Sequence, residues 1–77
     1  MAAPTITEIF YHWACNDRSV PVSAAVAALR EQTIDALKQA IDTHNHAQAL
    51  VYWNRYVDAY DAENGEDSHF NRMSQCP

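Results

Sequence analysis

The chain has 77 residues, 48% of them hydrophobic, and its ten acidic and five basic side chains give a net charge of −5. This length predicts one domain over residues 1–77, and a single glycine with three prolines excludes a linker or low-complexity region. The bases are dispersed, so direct binding to nucleic acid is not expected.

The first helix is predicted over residues 6–15. Thr5 and Glu8 have the spacing of a capping box and directly follow Pro4. Apolar residues then recur at helical spacing, and these are Ile6, Ile9, Phe10 and Trp13. The polar residues 16–19 predict a turn after this helix.

The second helix is predicted over residues 21–43. Pro21 suits a first helical turn, and the alanine-rich segment that follows consists of strong helix formers. Its apolar stripe shifts sideways near Gln32 and Thr33, where we expect a bend. Small alanines allow another helix to approach closely, so this helix is expected to be the central scaffold.

The third helix is predicted over residues 46–64, between a capping box at Asn45 and Gln48 and a stop at Gly65. Residues 68–73 can add one short helical turn, and residues 74–77 are expected to be frayed. Because no segment alternates with period two, the sequence predicts an all-α fold of three helices with a short fourth turn.

Residues Gln32 to Ile41, which read QTIDALKQAI, resemble the helix-opening segment of the Hha/YmoA family. These are small bacterial helical proteins that modify gene silencing by binding a nucleoid protein. The resemblance implies a helix that opens at Thr33, with a break before it. It also implies co-regulation through a protein partner, although the chain lacks the basic character of that family.

Aromatic residues are concentrated on the third helix. Four aromatic residues have positions that suit one core, namely Phe10, Trp13, Trp53 and Tyr60. Tyr52 and Tyr56 form a second stripe beside it, which makes the apolar surface wider than one small core requires. We therefore expect one or both of Tyr52 and Tyr56 to face a protein partner or a second copy of the chain, and we predict a homodimer through the third helix.

Acidic residues cluster at the end of the same helix, where the helix dipole disfavours them. The candidate binding residues among them are Asp58, Asp61, Glu63 and Glu66. Carboxylates spaced by one helical turn can bind arginines in a basic groove of a partner protein. The alternative is that they are a solvated, solubilising helix end.

No catalytic constellation, phosphate loop or dinucleotide fingerprint is present in the sequence, so no enzymatic activity and no cofactor are expected. A metal site would need four residues to converge, namely His12, Cys15, His44 and His46. Nothing in their spacing forces that convergence. The favoured interpretation is that the turn histidines are solvated, that His12 lies at the core margin and that Cys15 is a small buried residue.

Two cysteines, Cys15 and Cys76, are too few for a disulfide framework. With no basic start and no long apolar run, the sequence predicts a cytoplasmic protein without membrane spans. The leading hypothesis is a stoichiometric protein-binding protein that inhibits or modulates a larger complex, as phage-encoded inhibitors such as anti-CRISPR proteins do. The alternative hypothesis is the co-regulator that the Hha resemblance implies.

Overall fold

A computed structural model describes residues 3–75 and confirms the all-α fold, with no strand in that range. The elements in chain order are α1 (Ile6–Asn16), a 3₁₀ turn (Asp17–Ser19), α2 (Ala24–Thr43), α3 (His46–Asn64) and α4 (Ser68–Gln75). α2 and α3 are joined by two residues, so they lie side by side as an antiparallel hairpin. α1 packs on both of them, and α4 packs on α3.

Side-chain caps determine where the first three helices begin. The hydroxyl of Thr5 accepts a hydrogen bond from the amide of Glu8, and the side chain of Asn45 accepts one from the amide of Gln48. α2 begins at Ala24 and not at Pro21, because the Ser23 hydroxyl accepts from the amide of Val26.

The third helix ends at Gly65, whose φ of 112° is a conformation that residues with a Cβ rarely adopt. A Cβ added at Gly65 would meet no atom within 4 Å, so the backbone angle and not a lack of space favours glycine here. The expected short turn after it is the helix α4, which continues to Gln75. Residues 74 and 75, expected to be frayed, are therefore helical, while residues 76 and 77 lie outside the described range.

α2 is continuous through Thr33, so the break implied by the resemblance is absent. The hydroxyl of Thr33 donates to the carbonyl of Leu29 at 2.8 Å, which satisfies it within the helix. Ile34, the next residue, and Leu37, one helical turn after Thr33, are 3% and 0% exposed. Their burial holds this part of α2 against the rest of the fold.

The hydrophobic core lies between α2, α3 and α1. Its buried members are Ala14, Val26, Ile34, Leu37, Ala40, Ala49, Trp53, Tyr56 and Tyr60. Of the four aromatic residues expected in the core, Trp53 and Tyr60 are buried. Phe10 and Trp13 are only half-buried at its margin, although the ring of Phe10 stacks on Trp53 at 4.6 Å.

We expect Trp53→Ala to lower the free energy of unfolding by roughly 3–5 kcal/mol, because it empties the centre of the aromatic core. Trp13→Ala removes the same side chain from a half-buried position, so its effect should be clearly smaller. Urea unfolding followed by circular dichroism measures both. Equal losses of stability in the two variants would contradict this description of the core.

Candidate functional site

A buried carboxylate, that of Asp17, lies at the centre of a polar cluster. The Asp17 side chain is completely buried, and it accepts hydrogen bonds from Tyr56 Oη at 2.8 Å, His69 Nε2 at 2.5 Å and Arg72 Nε at 2.9 Å. We call these four residues the Asp17 cluster. It joins the 3₁₀ turn after α1 to α3 and α4, so one carboxylate holds together three separate parts of the chain.

The hydrogen bonds outweigh the cost of burying this charge. Burial alone would raise the pKa of Asp17, but the donors His69, Arg72 and Tyr56 stabilise the carboxylate and hold its pKa below the ordinary value. For Tyr56, burial and the hydrogen bond to Asp17 raise the pKa far above the ordinary value. Tyr56 is therefore a neutral donor and Asp17 a charged acceptor at neutral pH.

His69 is enclosed by aromatic rings as well as bonded to Asp17. Its ring centroid lies 5.1 Å from Trp53, 5.6 Å from Tyr56 and 5.0 Å from Tyr60, with interplanar angles of 79–88°. Edge-to-face arrangements of this kind are favourable. Sequence reasoning missed both Asp17 and His69, which are 52 residues apart and carry no local signal of their contact.

The geometry of the Asp17 cluster indicates a structural role. Asp17 and His69 are at most 1% exposed, and all three donors point at the same carboxylate. No serine or cysteine is hydrogen-bonded to His69 among the described residues. The cluster anchors α4 to the rest of the fold and closes the aromatic core on that side.

Tyr56, one of the two tyrosines proposed to face a partner, is buried in the core. Its side chain is 0% exposed because α4 and Asp17 cover it. Tyr52, one helical turn earlier, is half-buried, and the guanidinium of Arg55 lies 5.6 Å above its ring. Of the two tyrosines proposed as anchors, only Tyr52 reaches the surface.

Two of the four candidate acids act within the fold. The carboxylate of Glu63 accepts from the backbone amide of Ser23 at 3.0 and 3.2 Å, and this contact lowers its pKa. Asp61 Oδ1 accepts from the amide of His69 at 3.0 Å. Although both acids lie near the unfavourable end of α3, they cap the beginnings of α2 and α4, where negative charge is favoured.

The other two acids, Asp58 and Glu66, are exposed. Neither forms a hydrogen bond or an ion pair within the part of the chain that the structure describes. The four acids therefore do not act as one cluster: Asp61 and Glu63 stabilise the fold, and Asp58 and Glu66 remain available to a partner.

A groove lies between α2 and α3, next to the turn that joins them. It has a volume of about 180 Å³, and its lining residues are Ala36, Gln39, Ala40, Thr43, Asn45, Gln48 and Tyr52. None of these side chains is formally charged. The side-chain amides of Gln39 and Gln48 make no hydrogen bond to another described residue, so they can bind a ligand.

The histidines and the described cysteine do not converge. His12 was expected at the core margin but is exposed, and Cys15, expected to be buried, is half-buried. His46 Nδ1 is hydrogen-bonded to Thr7 Oγ1 at 2.5 Å. The rings of His44 and His46 are 6.4 Å apart. Within residues 3–75 no group of three or more His, Cys, Asp or Glu side chains is placed to hold a metal ion.

No protein-family model, curated protein or solved structure matches the chain at a significant level of similarity. Across the described residues, none of the helices has both the length and the apolar character that a membrane span requires. The fold and the groove therefore define a small all-α domain with a neutral, concave surface at Tyr52.

We expect Asp17→Asn to cost roughly 3–5 kcal/mol of stability, because it removes the charge from a buried, paired site. Tyr56→Phe removes one neutral donor and should cost about 1 kcal/mol. Asp35→Asn, at an exposed position of α2, is the matched control and should change little. Chemical denaturation gives all three values, and similar losses in Asp17→Asn and the control would show that the cluster does not anchor the fold.

Asp17 also predicts a pH dependence. Because its pKa is lower in the folded state than the unfolded value of about 3.9, its contribution to stability is present above that value. The contribution is lost as the pH falls through the folded-state pKa. Denaturation across an acidic pH series should therefore show a steeper loss of stability in the native sequence than in Asp17→Asn.

Removing the two capping acids should lower the melting temperature. Asp61→Ala and Glu63→Ala each leave a helix N-terminus without its carboxylate acceptor. Asp58→Ala and Glu66→Ala remove the same charge where no such contact exists, and they should leave the melting temperature unchanged or slightly higher. Thermal denaturation by circular dichroism separates the two pairs, and an equal response in all four variants would refute the distinction.

Proposed function

We propose that the protein is a small stoichiometric protein-binding domain that modulates a larger assembly without catalysing a reaction. The observation that carries this proposal is the groove around Tyr52. It combines the apolar side chains of Ala36 and Ala40 with amide side chains that make no hydrogen bond to another described residue. Such a mixture of apolar surface and a few convergent polar groups is typical of binding sites.

The groove fits one side chain or a short segment of a partner protein. A partner group that enters it would contact the alanines and the ring of Tyr52, while Gln39 and Gln48 can donate to or accept from its polar atoms. Tyr52 is suited to an anchoring role because it has a large ring, few rotatable bonds and a polar tip. The guanidinium of Arg55 lies over its ring, and this cation–π contact favours the observed ring orientation.

Charge supports the choice of a basic partner. With a net charge of −5, and with Asp58 and Glu66 exposed, the domain attracts a basic surface over a distance comparable to the Debye length. These charges steer the encounter and do not line the groove. The proposed effect on the assembly is occlusion of a basic or polar surface in the cytoplasm, as with phage-type inhibitors that include anti-CRISPR proteins.

Filling the groove should abolish partner binding. Ala36→Arg places a long, charged side chain in the groove, and Ala28→Arg makes the same change at an exposed position nearer the start of α2. In affinity capture from the native host with quantitative mass spectrometry, a partner bound by the native protein should be retained by Ala28→Arg. Its recovery on Ala36→Arg should fall by about tenfold or more, the loss expected when a hot spot is blocked.

Circular dichroism first shows that both arginine variants are folded. If the native protein enriches no host protein at a constant ratio, the proposal of a stoichiometric binder is rejected. If the same protein is captured equally well by Ala36→Arg, the groove is not the contact surface.

A further inference from the structure

The outer side of α3 carries a narrow stripe of exposed residues that neither the core nor the groove uses. Its members, spaced by four, three and four residues, are Val51, Arg55, Asp58 and Ala62. At about 100° per residue this spacing keeps them on one line, which points away from the buried Trp53. Val51 is 57% exposed, and the other three residues are also exposed.

Arg55 and Asp58 are three residues apart on this stripe but do not pair with each other, since they form no ion pair within 4.0 Å among the described residues. The guanidinium of Arg55 lies over the ring of Tyr52 instead. Asp58 forms no hydrogen bond to another described residue. Asp58 is thus open to a partner, while exposed Arg55 makes only the contact with Tyr52 among the described residues.

We propose that this stripe binds the same stripe of a second copy, with the two α3 helices antiparallel around a two-fold axis between residues 56 and 57. That symmetry places Arg55 of each chain opposite Asp58 of the other. It also places the large Val51 opposite the small Ala62. A two-fold contact requires a self-complementary surface, and this stripe is self-complementary in both charge and size.

The dimer is a weak one. Eleven residue steps from Val51 to Ala62 span about 16 Å, or three helical turns, and four side chains per copy cover less surface than the roughly 1,200–2,000 Å² of stable complexes. Each chain carries a net charge of −5, so the copies repel at low salt. At physiological ionic strength the Debye length is about 8 Å, and long-range repulsion is screened while the direct pairs persist. The stripe and the groove lie on neighbouring sides of α3, and Arg55 contacts Tyr52 of the groove.

Charge exchange tests the proposed dimer. Arg55→Glu or Asp58→Arg alone turns two attractive contacts per dimer into two repulsive ones, so each should weaken association by about tenfold or more. The double variant R55E/D58R recreates both pairs with reversed sign and should restore association. Sedimentation equilibrium at physiological ionic strength, over micromolar to millimolar protein concentrations, measures the dissociation constant.

Two controls match the change in net charge. Lys38→Glu and Asp42→Arg alter the charge by the same amounts at exposed positions on α2, and they should leave association unchanged. Circular dichroism confirms that every variant is helical. A native protein that remains monomeric at millimolar concentration overturns the proposal, as does a dimer that the single exchanges do not weaken or that the double exchange does not restore.

Discussion

The carboxylate of Asp17 is the interaction on which the other packing depends. It lies in a single 3₁₀ turn, yet it accepts hydrogen bonds from α3 and from two residues of α4. A buried charge is unfavourable unless it is well bonded, so the donors must be in place for the fold to close. This requirement explains why an apolar aromatic core includes the hydroxyl of Tyr56 and the imidazole of His69.

The acidic end of α3 is likewise stabilised by hydrogen bonds from other parts of the chain. Considered along one helix, Asp61 and Glu63 lie where the dipole of α3 opposes negative charge. In the folded chain they also lie beside the amides of His69 and Ser23, at the beginnings of two other helices. The favourable contacts come from neighbouring helices, and these acids connect α3 to α2 and α4.

α3 therefore has three differently used sides. One side, with Trp53 and Tyr60, completes the core; a second, with Tyr52, lines a neutral groove; the third carries the exposed stripe that begins at Val51. Because the core already covers Tyr56 and His69, binding at the other two sides requires no opening of the Asp17 cluster.

The sequence by itself determined the all-α class, the capping residues Thr5 and Asn45, and the stop at Gly65, because these depend on contacts a few residues apart. It also indicated Trp53 and Tyr60 as core residues through their helical spacing. It could not separate Tyr52 from Tyr56, which lie one turn apart on the same aromatic stripe. Only the tertiary structure decided which of them is buried, because Asp17 and α4 cover Tyr56 and leave Tyr52 at the surface. Contacts across 39 and 52 residues, such as Asp17 with Tyr56 and His69, have no local pattern, so the polar centre of this fold was visible only once its helices had packed.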